Sequence, residues 1–200
     1  MNSLLLSRDL NAFHDACHAI ANWAKSGAAR HASGIWQVVE QNHRYNCLLW
    51  DEEDLARRKQ VPDTEIASNK RAIDGFNQKR NDAIERIDEM LLGALATKNR
   101  QPGARLNSET AGSMVDRLSI LSLKVHHMRL QTLRTDVDAA HIGSCNTRLA
   151  RFAEQRQDLA GCLDRLLAEA SRGEAWFKVY RQFKMYNDPK LNPAIYGEKS

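Results

Sequence analysis

Long stretches of the chain place apolar residues at alternating steps of three and four, and none sustains strict alternation. That periodicity predicts helices rather than strands. Helices are expected over about 3–25, 33–59, 63–97, 109–135 and 145–171, with a short one near 174–184. Three of the four prolines (Pro62, Pro189 and Pro193) fall at apparent element boundaries. Pro62 breaks the ladder, and Asp63 offers an acceptor to the free first-turn amides of the next helix. Asn107 or Ser108 supplies a comparable cap further on. Short connections favour antiparallel neighbours, so the expected fold is all-α: an antiparallel helical bundle of five to six helices forming one domain over residues 1–200. Residues 184–200 read as an irregular tail that docks through Met185, Tyr186, Leu191, Ile195 and Tyr196.

The helical stripes are unusual in what they carry. In the second predicted helix one stripe runs Trp36, Val39, His43, Asn46, Trp50, Glu53, Arg57, beginning apolar and ending charged. In the third, Lys70, Asp74, Asn77, Asn81 and Asp88 lie beside an apolar stripe of Ile66, Ile73, Phe76, Ile87 and Leu91, which Arg80 interrupts. In the fourth, Ser113, Arg117, Ile120, Lys124 and His127 flank the seam Met114, Leu118, Leu121, Val125, Met128, with Asp116 on its edge. The fifth seam is apolar except for Arg156. Asn and Asp are indifferent helix formers, so local propensity does not account for them.

Burying such groups costs several kcal/mol unless they find partners. Three readings follow. The stripes are solvent-facing boundaries holding surface ion pairs, or a closed network that fixes helix register, or the lining of a polar cleft. Taken as a set they favour the cleft, on which Asn46, Asn77, Asn81, Arg117 and Lys124 are expected to converge. Lys70, Arg80, Arg117, Lys124 and Arg156 would gather around a phosphate or carboxylate, with Arg57 beside them. Asn46, Asn77 and Asn81 would orient hydroxyls, and Trp50 completes the binding set. His43, His127, Glu53, Asp54, Asp74 and Asp116 are the candidates for proton transfer.

Composition narrows the partners. With 29 Lys and Arg against 25 Asp and Glu, a net charge of +4, and both signs mixed along the chain, an anionic ligand is permitted. No arginine-rich arm or zinc-finger spacing points to nucleic acid. The leading apolar run, Leu4–Leu6, falls far short of the roughly 20 residues of a membrane span. A cytoplasmic location without membrane insertion is the expectation, and Cys17, Cys47, Cys145 and Cys162 should be free thiols. "HDACH" sets His14 and His18 four apart, but no second concentrated pair of ligands accompanies it, so no metal is assigned there. No cofactor motif is present: GxSxG, GxGxxG, HExxH and a phosphate-cradling glycine loop are all missing.

The runs "LWDEEDLARR", "IASNKRAIDGFNQKRNDAIERID", "GSMVDRLSILSLKVHHM" and "FKMYNDPKLNPAIY" occur in that order. Together they resemble a bacterial family known as domain of unknown function 4254, from the second helix to the end of the chain. The resemblance implies a helical bacterial protein and carries no established activity. Members often stand beside glycosyltransferases of cell-surface polysaccharide synthesis, which implies a sugar phosphate or nucleotide sugar as ligand, or a glycosyltransferase as partner. Enzyme and accessory protein both remain open. An enzymatic alternative is a magnesium-dependent nucleotide pyrophosphohydrolase, with Asp51 and Asp54 on one helix and Glu85 and Asp88 on another holding the cation.

Overall fold

The computed structural model of the chain describes residues 5–95, 100–183 and 188–196. Its elements are α1 (Ser7–His18), α2 (Trp23–Ser26), α3 (Gly34–Leu55), α4 (Asp63–Leu95), β1 (Arg105–Leu106), α5 (Ala111–Thr132), α6 (Ala139–Ser171), β2 (Ala175–Trp176) and α7 (Pro193–Tyr196). Two long hairpins, α3 with α4 and α5 with α6, carry the most extensive packing, and α1 lies across α5 and α6. The fold is therefore the expected all-helical bundle.

Several boundaries differ from the periodicity, each for a local reason. The first helix stops at His18 because Asn22 adopts a left-handed conformation (φ 54°), which an α-helix cannot continue through. The cap of α5 is Thr110, whose side chain accepts from the Ser113 amide; Asn107 and Ser108 lie upstream of it. α6 begins at Ala139, earlier than the apolar seam suggests, because Asp138 caps it by accepting from His141 N at 2.7 Å. At the other end of α6, Gly173 (φ 75°) closes the helix with paired bonds, Gly173 N to Ala170 O and Glu174 N to Glu169 O. The predicted helix near 174–184 is corrected over residues 174–183, and residue 184 lies outside the described residues. Among the described residues 174–183 there is no helix, and β2 pairs in parallel with β1.

The apolar centre collects Leu10, Phe13 and Cys17 of α1, Val38 and Val39 of α3, Ile87 and Leu91 of α4, Val115 and Leu118 of α5, and Leu163 and Leu166 of α6. α4 and α5 approach closely at Gly112, where a Cβ would sit 2.4 Å from the Ile84 carbonyl oxygen. Arg156, expected at the polar seam, instead ties α1 to α6: it donates to Asn11 Oδ1 at 3.0 Å and pairs with Asp15 at 2.9 Å. The chain beyond β2 docks on α4 by polar contacts, with Arg181 bridging Glu85 and Glu89 and Gln182 N donating to Glu85 at 2.9 Å. Of the tail's apolar groups, Leu191 is half exposed. Met185 and Tyr186 and the side chains of Ile195 and Tyr196 lie outside the described residues.

Candidate functional site

α3 and α5 face each other across a polar layer. Asn42, His43 and Asn46 on α3 meet Asp116, Ser119 and Ser122 on α5, and all six are buried. Helical spacing aligns them: 42 and 46 stand one turn apart, as do 116, 119 and 122. Asp116 Oδ1 accepts from the amide nitrogens of both Asn42 and Asn46 at 2.9 Å. Asn46 also donates to Ser119 Oγ at 3.0 Å, and His43 Nδ1 lies 2.8 Å from the same oxygen. Ser122 Oγ donates to the Ser119 carbonyl at 2.7 Å. Asn42 Oδ1 is left without a partner. His43 and Asp116, expected to transfer protons, are thus sealed inside the bundle and committed to its internal bonding.

Histidines extend this layer toward α1. His18 Nε2 lies 3.1 Å from Ser122 Oγ, and His14 packs its ring 4.4 Å from that of His43. His14 is fully buried, and neither of its ring nitrogens has a partner. Burial, reinforced by neighbouring cationic groups, pushes His14 down to about 3 and His18 down to about 4; His43 is likewise held well below its ordinary range. All three are neutral near pH 7. Burial also pushes the Cys47 thiol up to about 12.

One to three turns further along α3 the polar groups open to solvent. Asn46, Trp50, Glu53, Asp54 and Arg57 form one wall of a depression of about 330 Å³, and Asn77 and Arg80 of α4 form the other. Leu49, Ile120 and Leu123 supply its apolar surface. Trp50 stacks on His127 with centroids 4.5 Å apart and rings 8° from parallel. Burial lowers His127, an effect that Asp54 and Asp51 partly oppose. Two N–H donors here are buried without partners: Trp50 Nε1 and Arg80 Nε. Arg80 anchors its other end by donating to Asn81 at 3.1 Å, and Arg57 pairs with Glu53 at 3.0 Å.

The remaining expected site residues lie elsewhere. Arg117 and Lys124 border a separate groove of about 940 Å³ between α5 and α6, where four cations face three carboxylates. Arg117 is paired with Glu109 and Arg105 with Glu169 at 2.6 Å, while the Lys124 ammonium lies 5.7 Å from the Phe152 ring centroid. Asn81 donates to Gln182 at 2.8 Å in a third depression, with Glu85 and Asp88. Lys70 and Asp74 form an exposed i,i+4 pair at 2.5 Å. The expected convergence on a single cavity is therefore corrected, and α5 is the reason. Neighbouring residues on a helix point about 100° apart, so Asp116 turns to α3 while Arg117 turns to the α6 side.

The four carboxylates of the magnesium alternative are also separated. Asp51 pairs with Lys25 at 2.8 Å and Asp54 lies in the α3–α4 depression. Glu85 pairs with Arg181 at 2.7 Å, and Asp88 accepts from Gly112 N at 2.6 Å. Burial pushes Asp88 up to about 6.

Sequence reading missed Asn42, Ser119, Ser122 and Cys47. Asn42 and Cys47 each stand one position off the stripe that was followed on α3, and serines on a packing face are easily read as small filler. All four cysteines are free thiols, and no helix among the described residues is long and apolar enough to cross a membrane.

The chain matches no curated protein and no solved structure. A family described as "Protein of unknown function (DUF4254)" does match, over residues 36–179, a span that includes both walls of the α3–α4 depression and ends before the terminal motif. The chain belongs to that family.

Proposed function

We propose that the α3–α4–α5 depression binds an anionic, hydroxyl-rich small molecule, a sugar phosphate or nucleotide sugar used in making cell-surface glycans. The observation that carries this reading is the pair of buried, unpartnered donors on opposite walls, Trp50 Nε1 and Arg80 Nε. Leaving such donors unpaired costs roughly 1–3 kcal/mol each. Both are closed to solvent as the walls stand, and an acceptor-rich guest that turns the Trp50 and Arg80 side chains toward it removes that cost. Arg80 supplies the positive charge for a phosphate, with Arg57 joining it on release from Glu53, and the Asn77 amide and the Asp54 carboxylate can bond sugar hydroxyls. Asn46 has both amide hydrogens committed to the buried layer, so it contributes wall rather than a donor. The α5–α6 groove is a weaker candidate, because none of the buried donors left without a partner among the described residues belongs to its lining.

Calorimetry of the full chain against a panel of sugar phosphates and nucleotide sugars tests this. A member of the panel should bind, an Asn77→Ala/Arg80→Met double variant should lose that binding, and Arg117→Ala should keep it. An empty panel, or loss of binding through Arg117 with retention in the double variant, would overturn the assignment.

A further inference from the structure

The pair His14 and His18 looked solitary in the sequence, but the fold supplies a second pair. His43 and Cys47 repeat the four-residue spacing on α3, so each of two helices whose histidine rings touch presents two nitrogen or sulfur donors one turn apart. A ring nitrogen of His18, a ring nitrogen of His43 and the Cys47 thiol sulfur all lie within 4.8 Å of one another. Cys47 Sγ and His43 Nε2 are 3.8 Å apart. Donor atoms about a tetrahedral zinc ion, at 2.0–2.3 Å from it, stand roughly 3.3–3.8 Å from each other. Small side-chain rotations close that difference. Among the described residues this is the one group of three or more His, Cys, Asp or Glu with its donors in such reach.

We propose that His18, His43 and Cys47 form a binding site for a borderline-soft transition-metal ion, zinc being the expected occupant.

Two independent features support the assignment. His14, whose ring lies 4.4 Å from His43, is buried with neither nitrogen bonded, a costly state for an imidazole unless a donor or a cation is meant to come near. Second, His43 already has the outer contact typical of a metal-bound histidine. With its proton on Nδ1 and donated to Ser119 at 2.8 Å, Nε2 offers a lone pair on the Cys47 side. Three donors leave a tetrahedral ion one position short, which water completes. Nitrogen and thiolate donors without carboxylates select zinc over magnesium or calcium. Binding converts the Cys47 thiol to thiolate and releases its proton to solvent, with no change of oxidation state. The site lies beside the proposed sugar-phosphate depression and does not depend on that reading.

The test uses full-length, metal-stripped protein titrated with zinc by calorimetry and with cobalt(II) by absorption, where a thiolate ligand gives an ultraviolet charge-transfer band. One equivalent should bind with that band. Cys47→Ala should abolish the band, and His18→Ala should weaken zinc binding on the order of a hundredfold. Ser119→Ala should weaken it by about tenfold, and Cys162→Ala should leave both signals unchanged. Helicity by circular dichroism identifies any variant that fails to fold, in which case the other ligand variant decides. No stoichiometric binding by wild type, or a band that survives Cys47→Ala or vanishes with Cys162→Ala, would overturn the site.

Discussion

α3 carries polar side chains of two kinds, and they differ in who satisfies them. In the layer around Asn42, His43 and Asn46, hydrogen bonds run to Asp116 and Ser119 of the same molecule, with Asn42 Oδ1 unmatched and, where the layer reaches α1, both His14 ring nitrogens. Around Trp50 and Arg57, one to three turns on, the chain opens a depression and leaves the Trp50 and Arg80 donors unmet. Both sets occupy helical stripes with the same spacing. A polar residue at a packing position thus reads as structural when its partners are internal, and as a ligand group when a donor is buried beside open space.

Acid should separate the two regions most strongly. His14 and His18 sit near 3 and 4 in the folded protein against an ordinary 6.5, and His43 is also lowered. The unfolded chain therefore binds more protons below about 6.5, so the stability these groups permit is complete above that value and lost as pH falls toward 4. Asp88 acts in the opposite sense: its raised value, about 6, makes the fold slightly favoured as pH falls from 6 to 4, but one carboxyl opposes three imidazoles. Thermal melts of the metal-free protein should show the midpoint dropping steeply across this range. A flat profile would mean that the histidines are accessible to protons in the folded state.

Asp116→Ala should come next, costing about 3 kcal/mol in chemical denaturation because it strands the Asn42 and Asn46 amides in a buried layer. Arg80→Met is the contrasting change. It removes an unpaired buried donor but also the bond to Asn81, so stability should fall by only about 1 kcal/mol while ligand binding is lost. The smallest effect belongs to Arg117→Ala on the exposed α5–α6 groove, expected within about 0.5 kcal/mol of wild type and silent in binding. If Asp116→Ala proved as mild as Arg80→Met, the distinction between the regions would collapse.

The helices themselves were legible because periodicity of three and four is imposed by burial on one face, and burial decides the fold. Their ends were less so. The stop at Gly173 depends on a left-handed glycine with two backbone bonds, and the break at Asn22 on a left-handed non-glycine, neither of which periodicity registers. At the site, the sequence identified Asn46, Trp50, Glu53, Asp54, Arg57, Asn77 and Arg80, which do share one depression, because α3 and α4 are consecutive and their facing stripes could be matched directly. It misplaced Arg117 and Lys124 because which side of α5 meets α3 depends on how four helices pack, and a single stripe does not encode that. The His43 and Cys47 pair was visible as a four-residue spacing, yet its meaning required knowing that α1 lies close to α3 at that level.

The central claim is that the unmet donors beside open space mark where a ligand sits. The chain has four tryptophans, so four indole N–H resonances should be resolved in a nitrogen-15 correlation spectrum, with Trp50 assigned by a Trp50→Phe variant. Trp23 Nε1 is also buried without a partner, but it lies at the closed histidine end of the bundle, which makes it an internal control. On adding the sugar phosphate or nucleotide sugar that binds in calorimetry, the Trp50 resonance should shift while that of Trp23 stays in place. A shift at Trp23 with none at Trp50 would contradict the account.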